Sequence, residues 1–227
     1  VLSRLREAIS GLADLLLPLH CVGCDVAGTA WCPRCAGRLG GLRRVHRPLF
    51  GNSPPVFALG RYRGVARRAV LAYKEDGQRA LAAPLGAQLA TALRSITLDR
   101  SLEPEWWLVP APSRAMASRR RGGAHMARIA HRAAVELSAA GMPTRVADCL
   151  LTGPGAADSA GLTPQQRLDN LSGRVLVRPG RLPPGGAQVA LLDDVVTTGA
   201  TVTCAAAALD GARRPVAVVL ALTSTAG

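Results

Sequence analysis

The sequence predicts an α/β fold: a largely parallel sheet flanked by helices, preceded by a small N-terminal zinc-knuckle or ribbon module. Three observations predict it. Apolar strand-like runs alternate with helical patterns from Val56 to Leu222, as buried parallel strands joined by helices require. Four cysteines near the start fall into two CxxC pairs with seven residues between them. Hydrophobic residues make up 48% of the 227, enough to bury a core and to exclude wholesale disorder.

The cysteine pairs are Cys21-Val-Gly-Cys24 and Cys32-Pro-Arg-Cys35. Each can turn tightly enough to aim two thiolates at one ion, and two such knuckles complete a tetrahedral site. Gly23 and Pro33 suit the turns, and the short spacer implies a tight hairpin between them. Structural zinc on Cys21, Cys24, Cys32 and Cys35 accounts best for the pattern. A redox pair, an iron–sulfur site and unpaired structural thiols are the alternatives. A closed four-thiolate site stabilises a module too small for its own core and leaves no open position for catalysis. Cys149 and Cys204 stand alone and read as small apolar residues.

Ahead of the knuckles, Leu2, Leu5, Ile9, Leu12 and Leu16 recur at helical spacing until Pro18, which predicts a helix packed on the main domain. After them, Arg43, Arg44 and Arg47 surround His46, and Pro48 to Pro55 reads as a linker. The expected division is therefore 1–47, helix plus cysteine module, and 48–227, the α/β domain.

Along the main domain, Val56–Tyr62 predicts a strand, and Val65–Lys74 and Ala80–Leu93 predict helices separated by Glu75-Asp76-Gly77. Trp106–Val109 is a short strand ending in Pro110-Ala111-Pro112. Ala124–Ala140 places Met126, Ile129, Ala133 and Leu137 on one helical face. Thr144–Leu150 and Arg174–Val177 are weaker strands. Val189–Leu192 is a strand, Ala200–Leu209 a helix, and Pro215–Leu222 a closing strand. Gly153–Asn170 is polar and turn-rich, which predicts a mobile loop.

The charge is lopsided: 28 basic residues against 15 acidic, a formal +13, with Lys74 the only lysine. The first 150 residues hold 22 basic and 10 acidic residues, the rest 6 and 5. An arginine surface matched to phosphates thus lies mainly outside the C-terminal third. No apolar run approaches the ~20 residues of a membrane span. Glu7 and Asp14 interrupt the region that a signal peptide would keep apolar, so a cytoplasmic location is expected.

The run Val189-Ala-Leu-Leu-Asp-Asp-Val-Val-Thr-Thr-Gly-Ala-Thr201 decides the functional reading. Asp193 and Asp194 follow a buried strand, at the carboxyl end where ligands of open α/β sheets bind. Thr197, Thr198, Gly199, Ala200 and Thr201 form a small, hydroxyl-rich loop entering a helix, whose unpaired N–H groups and dipole suit a phosphate. Two carboxylates beside a phosphate cradle suit a phosphorylated sugar.

This run resembles the phosphoribosyl-diphosphate (PRPP) motif of type I phosphoribosyltransferases. The resemblance implies that Asp193 and Asp194 meet the ribose hydroxyls and that Thr197 to Thr201 hold the 5′-phosphate. The cysteine module, Tyr73-Lys74…Gly77, Val109-Pro-Ala-Pro112, an Arg-Arg-Gly segment and Gly161-Leu162…Arg167…Asn170 together resemble the ComF family, which includes competence proteins and GntX-type relatives. Where members often read Arg-Gly-Phe-Asn-Gln, this chain has Arg121-Gly122-Gly123-Ala124-His125, and Ser159 stands near the place of a common glutamine.

The resemblance implies PRPP bound with magnesium and transfer of a phosphoribosyl group with diphosphate release. The alternative is a non-catalytic module that binds PRPP, a nucleotide or single-stranded DNA and assists a DNA-uptake helicase. Candidate catalytic residues are Arg114, which follows Pro110-Ala111-Pro112-Ser113 in a loop resembling the diphosphate loop, Arg167 in the expected mobile loop together with Asn170, and Lys74 at a helix end. Each has an ordinary surface role as its counterpart reading. Arg119-Arg120-Arg121 reads as a solvated charge run or an anion clamp. His125 and His131 receive no catalytic role.

Overall fold

A computed structural model describes residues 19–51, 54–97, 105–112, 125–154 and 163–225. The helical pattern from Leu2 to Leu16, Arg114, the Arg119–Ala124 segment, and Ser159, Gly161 and Leu162 lie outside the described residues.

Eight strands are described: β1 (Arg43–Arg44), β2 (Val56–Ala58), β3 (Trp106–Pro110), β4 (Thr144–Val146), β5 (Leu150–Thr152), β6 (Val175–Val177), β7 (Gln188–Val196) and β8 (Val216–Ser224). The α-helices are α1 (Pro33–Ala36), α2 (Gly64–Lys74), α3 (Ala82–Thr97), α4 (His125–Ala139), α5 (Pro164–Leu171) and α6 (Ala200–Gly211). Six strands form one sheet in the order β1-β2-β8-β7-β3-β4, and β5 pairs with β6 separately. Within the large sheet only the β1–β2 pair is antiparallel. The fold is mixed α/β with a mostly parallel central sheet.

The central strands are apolar on both faces because both faces are covered. On β7, Ala190 and Leu192 enter one core with Leu85, Leu89, Ile129 and Leu137, which come from α3 and α4. Val189 and Leu191 enter the other with Val202 and Leu209 from α6. Helices α3 and α4 approach closely at Gly86, where a Cβ would lie 2.6 Å from the Arg132 Cβ and 2.9 Å from the Ala133 nitrogen. Small residues at that contact let the two helices pack tightly over β7 and β8.

Three sequence expectations are corrected. The strand expected through Tyr62 ends at Ala58; the chain then bends, and Arg61 forms only an isolated bridge to Ser224. The single strand expected over Thr144–Leu150 is two. Its first part pairs with β3. The chain then turns at Ala147–Cys149, and Leu150 begins an antiparallel pair with β6, with the Arg178 N–H donating to the Cys149 carbonyl at 2.8 Å. Gly153–Asn170 is not all loop: Pro164–Leu171 is a helix. Thr163 and Gln166 close a reciprocal capping box, and Pro164 occupies the first turn. Capping stabilises this helix although it buries no side chain.

The chain leaves β3 for β4 through α4 on one face and leaves β7 for β8 through α6 on the other. Strands β3 and β7 are neighbours whose onward connections run over opposite faces, so the switch point of the sheet, where ligands of open α/β sheets bind, falls at their carboxyl ends. Pro110–Pro112 follows one of these ends and Thr197–Gly199 the other.

Candidate functional site

Asp193 and Asp194 do not follow β7; they lie inside it. The expectation that they emerge beyond a strand ending at Leu192 is corrected, because β8 continues alongside and pairs Asp193 with Ala221 and Val195 with Thr223. The Thr223 hydroxyl also donates to the Asp194 carbonyl at 3.2 Å. Both acids are buried, each 7% exposed. Side chains alternate along a strand, so Asp194 falls on the α2–α4 side and Asp193 on the α6 side.

Burial of a carboxylate requires partners. Asp194 has two partners: the Lys74 ammonium Nζ at 2.7 Å, from the end of α2, and His125 Nε2 at 2.9 Å, from the start of α4. Its Oδ1 accepts the Val195 N–H at 2.7 Å. Burial acts to raise its pKa, but the His125 hydrogen bond and the Lys74 charge outweigh burial and hold the carboxyl well below the usual carboxylate range. Asp193 accepts the Asp194 N–H at 2.8 Å. Burial and the adjacent Asp194 charge push it up to about 7, against the pull of Lys74. One acid is thus held ionised and the other sits near neutrality.

The loop after β7 is shaped by backbone. Gly199 has φ +91°, the left-handed region, and serves as the N-cap of α6 without a side-chain cap. A Cβ there would stand 2.4 Å from Phe50, so only glycine fits both the dihedral and the space. No acid occupies the first turn of α6, and the Thr198 hydroxyl accepts the Ala200 N–H at 3.4 Å. Arg47 fixes the loop from outside: its Nε donates to the Thr197 carbonyl at 2.7 Å, and one terminal nitrogen donates to the Thr225 carbonyl at 2.7 Å. Arg167, on α5, donates to the Thr197 hydroxyl at 3.3 Å.

Of the candidate catalytic residues, Lys74 therefore reaches the acid pair and Arg167 reaches the loop. Arg114 lies outside the described residues. Asn170 lies one turn further along α5, where its carbonyl accepts from Arg174 at 2.6 Å. Sequence reasoning missed three residues. His125 received no role, yet it is buried against Asp194. Arg47 read as the end of the cysteine module and Phe50 as part of a linker, yet they hold Thr197 and cover Gly199. His125 is 69 positions from Asp194, and Arg47 is 150 from Thr197, so no local spacing pointed to them. The Tyr73 hydroxyl donates to the His125 carbonyl at 2.9 Å and ties the start of α4 to the end of α2.

The second cluster is the cysteine set. The sulfurs of Cys21, Cys24, Cys32 and Cys35 all lie within 4.8 Å of one another, with Cys24 and Cys32 at 3.6 Å. Four thiolates around zinc at about 2.3 Å stand roughly 3.8 Å apart, so the donor set and its geometry fit that ion. Burial raises the Cys21 thiol, but N–H groups of Cys32, Gly23 and Cys24 outweigh it and bring it down to about 6. Burial and the neighbouring thiols push Cys35 well up. All four ionise together only around a cation. Gly23 is required at this contact, since a Cβ would lie 2.5 Å from the Cys35 sulfur.

No family model and no curated protein matches the chain. Solved structures do align with part of it. One is an HPRT with glutamine at an invariant aspartic acid, at 14% identity and TM-score 0.36, over 64% of this chain and 66% of that one. Another is the Trypanosoma cruzi hypoxanthine phosphoribosyl transferase, at 13% identity and TM-score 0.35, over 64% and 63%. A third is the L. donovani hypoxanthine-guanine phosphoribosyl transferase, at 14% and 0.35, over 63% and 71%. The chain spans just under two thirds, 66%, of the first of these. The α/β assignment itself rests on the strand order and pairing. Among the described residues no helix is long and apolar enough to cross a membrane.

Proposed function

We propose that the chain is a cytoplasmic, PRPP-binding, phosphoribosyltransferase-like protein of the ComF type. The observation that carries this reading is the juxtaposition, at the carboxyl end of β7, of two buried acids with a glycine-led loop opening α6. Such a loop offers N–H donors to a phosphate. Thr197, Thr198, Gly199, Ala200 and Thr201 would cradle the 5′-phosphate, and Asp193 and Asp194 would accept the ribose hydroxyls. Lys74 and His125 hold Asp194 ionised and oriented. Asp193, pushed up to about 7, is the acid that would lose its proton on accepting a ribose hydroxyl.

Magnesium is a hard cation that rides on phosphates and favours carboxylate and water oxygens, so this donor set suits a magnesium–PRPP complex. In the transfer, the bond from ribose C1 to the diphosphate oxygen breaks as a bond from C1 to the acceptor forms. The diphosphate carries the electron pair away. The protein's share is positioning and charge stabilisation. The cysteine module is structural and holds zinc in this reading.

The test is calorimetry with magnesium–PRPP, followed by an assay of diphosphate release with a panel of bases. Binding that disappears in Asp193→Asn/Asp194→Asn supports the site, and retained binding overturns it. Binding with no release from any base favours the non-catalytic module, with single-stranded DNA and a DNA-uptake helicase as the partners to test next.

A further inference from the structure

A cleft of about 800 Å³ lies between the cysteine module and the start of α2. It is lined by Arg34, Arg38, Arg43, Arg61, Arg63 and Arg68, and by no aspartate or glutamate. It shares no residue with Asp193–Thr201. We propose that this cleft is a second anion site, for a ligand carrying two or three linked phosphates. The proposal goes beyond the PRPP reading and does not depend on it.

The arginines are not a composition run. They come from two stretches of chain, 34–43 and 61–68, brought together by α1, β1, the β2–α2 turn and α2. All six are exposed, and among the described residues none is ion-paired to a carboxylate. Arg68 donates to the Gly23 carbonyl. Six guanidinium groups in one concavity repel one another within a Debye length of ~10 Å, and a polyanion relieves that repulsion with bidentate hydrogen bonds. A zinc–tetrathiolate in the wall would contribute two negative charges, which leaves the cleft strongly positive.

An independent feature points to the same chemistry. Helix α2, of 11 residues, begins in this cleft with Gly64 and Val65 in its lining. Its N-cap, Arg63, supplies no side-chain cap, and its first turn holds no acid. The first N–H groups and the positive end of the helix dipole therefore face the same space as the arginines. The cleft volume falls in the range of small-ligand sites, ~300–1,000 Å³. No aromatic residue lines it, so bases find no stacking platform there. Linked phosphates, rather than nucleobases, are what this surface recognises.

The test is calorimetric titration of the zinc-loaded full chain with inorganic tripolyphosphate, with a nucleoside triphosphate, and with a short single-stranded dT oligomer. Micromolar binding of tripolyphosphate is expected. It should weaken at least tenfold in Arg38→Gln/Arg61→Gln/Arg63→Gln, with an unchanged thermal midpoint. The charge-matched control Arg44→Gln/Arg79→Gln/Arg132→Gln, exposed and outside the cleft, should bind as the wild type does. Equal affinity for tripolyphosphate and the nucleoside triphosphate means the phosphates alone are read. Tighter binding of the nucleoside triphosphate adds a nucleoside contact to the same site. The proposal is overturned if tripolyphosphate does not bind, if both triple variants weaken binding equally, or if only the dT oligomer binds. Magnesium–PRPP binding in the first triple variant reports separately on the β7 site.

Discussion

Phe50 lies over Gly199 so closely that a Cβ on residue 199 would stand 2.4 Å from its ring. A residue in the expected linker is thereby packed on the loop that opens α6. Gly199→Ala meets two obstacles, the φ of +91° and this ring. The variant should lose about 1–3 kcal/mol of stability in urea and at least tenfold in PRPP affinity by calorimetry. Phe50 is itself a core residue, 9% exposed, so Phe50→Ala alone should cost about 3–5 kcal/mol. With the ring gone the clash is gone, so the double variant should lose less than the sum of the two single losses. An affinity of Gly199→Ala equal to that of the wild type would show that this loop does not hold the phosphate.

The Asp193 carboxyl gives stability a specific pH dependence. Its pKa is about 7 in the fold and about 3.9 in the unfolded chain. Between those values the folded state holds a proton that the unfolded state does not. The contribution of Asp193 to stability therefore falls as pH rises from about 4 to about 7 and is flat above. Asp194, whose pKa is lowered, acts with the opposite sign and only below about 4. Asp193→Asn removes the titration. The variant should gain on the wild type by on the order of 1–3 kcal/mol between about pH 5 and about pH 8, read as the difference of urea midpoints. The difference cancels the titration of the cysteine set. A constant difference across that window would mean that Asp193 is ionised throughout.

These two sites differ in how far the sequence disclosed them. The strands and helices around β7 were legible because apolar runs and helical periodicity are local signals. The CxxC spacing was legible because ligand geometry is set within a few residues. The Thr-Thr-Gly loop belongs with these, since its glycine and hydroxyls are contiguous. What escaped is what the fold assembles from distant parts: Arg47 on Thr197, His125 on Asp194, and six arginines from two stretches around one cleft. Helix α5 escaped for a different reason. It buries nothing, so it lacks the apolar stripe that marks a helix, and only Thr163-Pro164-Gln165-Gln166 announced it.

Arg47 spreads one guanidinium over three main-chain carbonyls, those of Thr197, His46 and Thr225, at 2.7, 2.9 and 2.7 Å. A lysine carries the same charge but cannot reproduce the planar fork. Arg47→Lys should therefore cost about 1–2 kcal/mol in urea and weaken PRPP binding through the displaced Thr197, although residue 47 touches no ligand itself. Charge retention with lost function separates positioning from electrostatic attraction. If Arg47→Lys matches the wild type and Arg47→Gln does not, charge alone matters and the fork assignment is wrong.

The cysteine cluster should control the stability of the main domain, not only its own loop. Cys21, Cys32 and Cys35 are buried in the same core as Leu39, Ala66, Val70 and Leu85, and Gly23 sits against both Cys35 and Val65. The purified, reduced protein should hold about one zinc per chain. A strong chelator should lower the thermal midpoint and alter the emission of Trp31, which is 6% exposed beside the ligands. Cys24→Ser should act in the same direction with a smaller effect than Cys35→Ser, because Cys24 is exposed and Cys35 is buried, and exchange of the outer ligand leaves the packing intact. A reversible disulfide would behave differently: metal content near zero, and a midpoint that responds to reductant rather than chelator. Protein without zinc and indifferent to chelator would rule out the four-thiolate site.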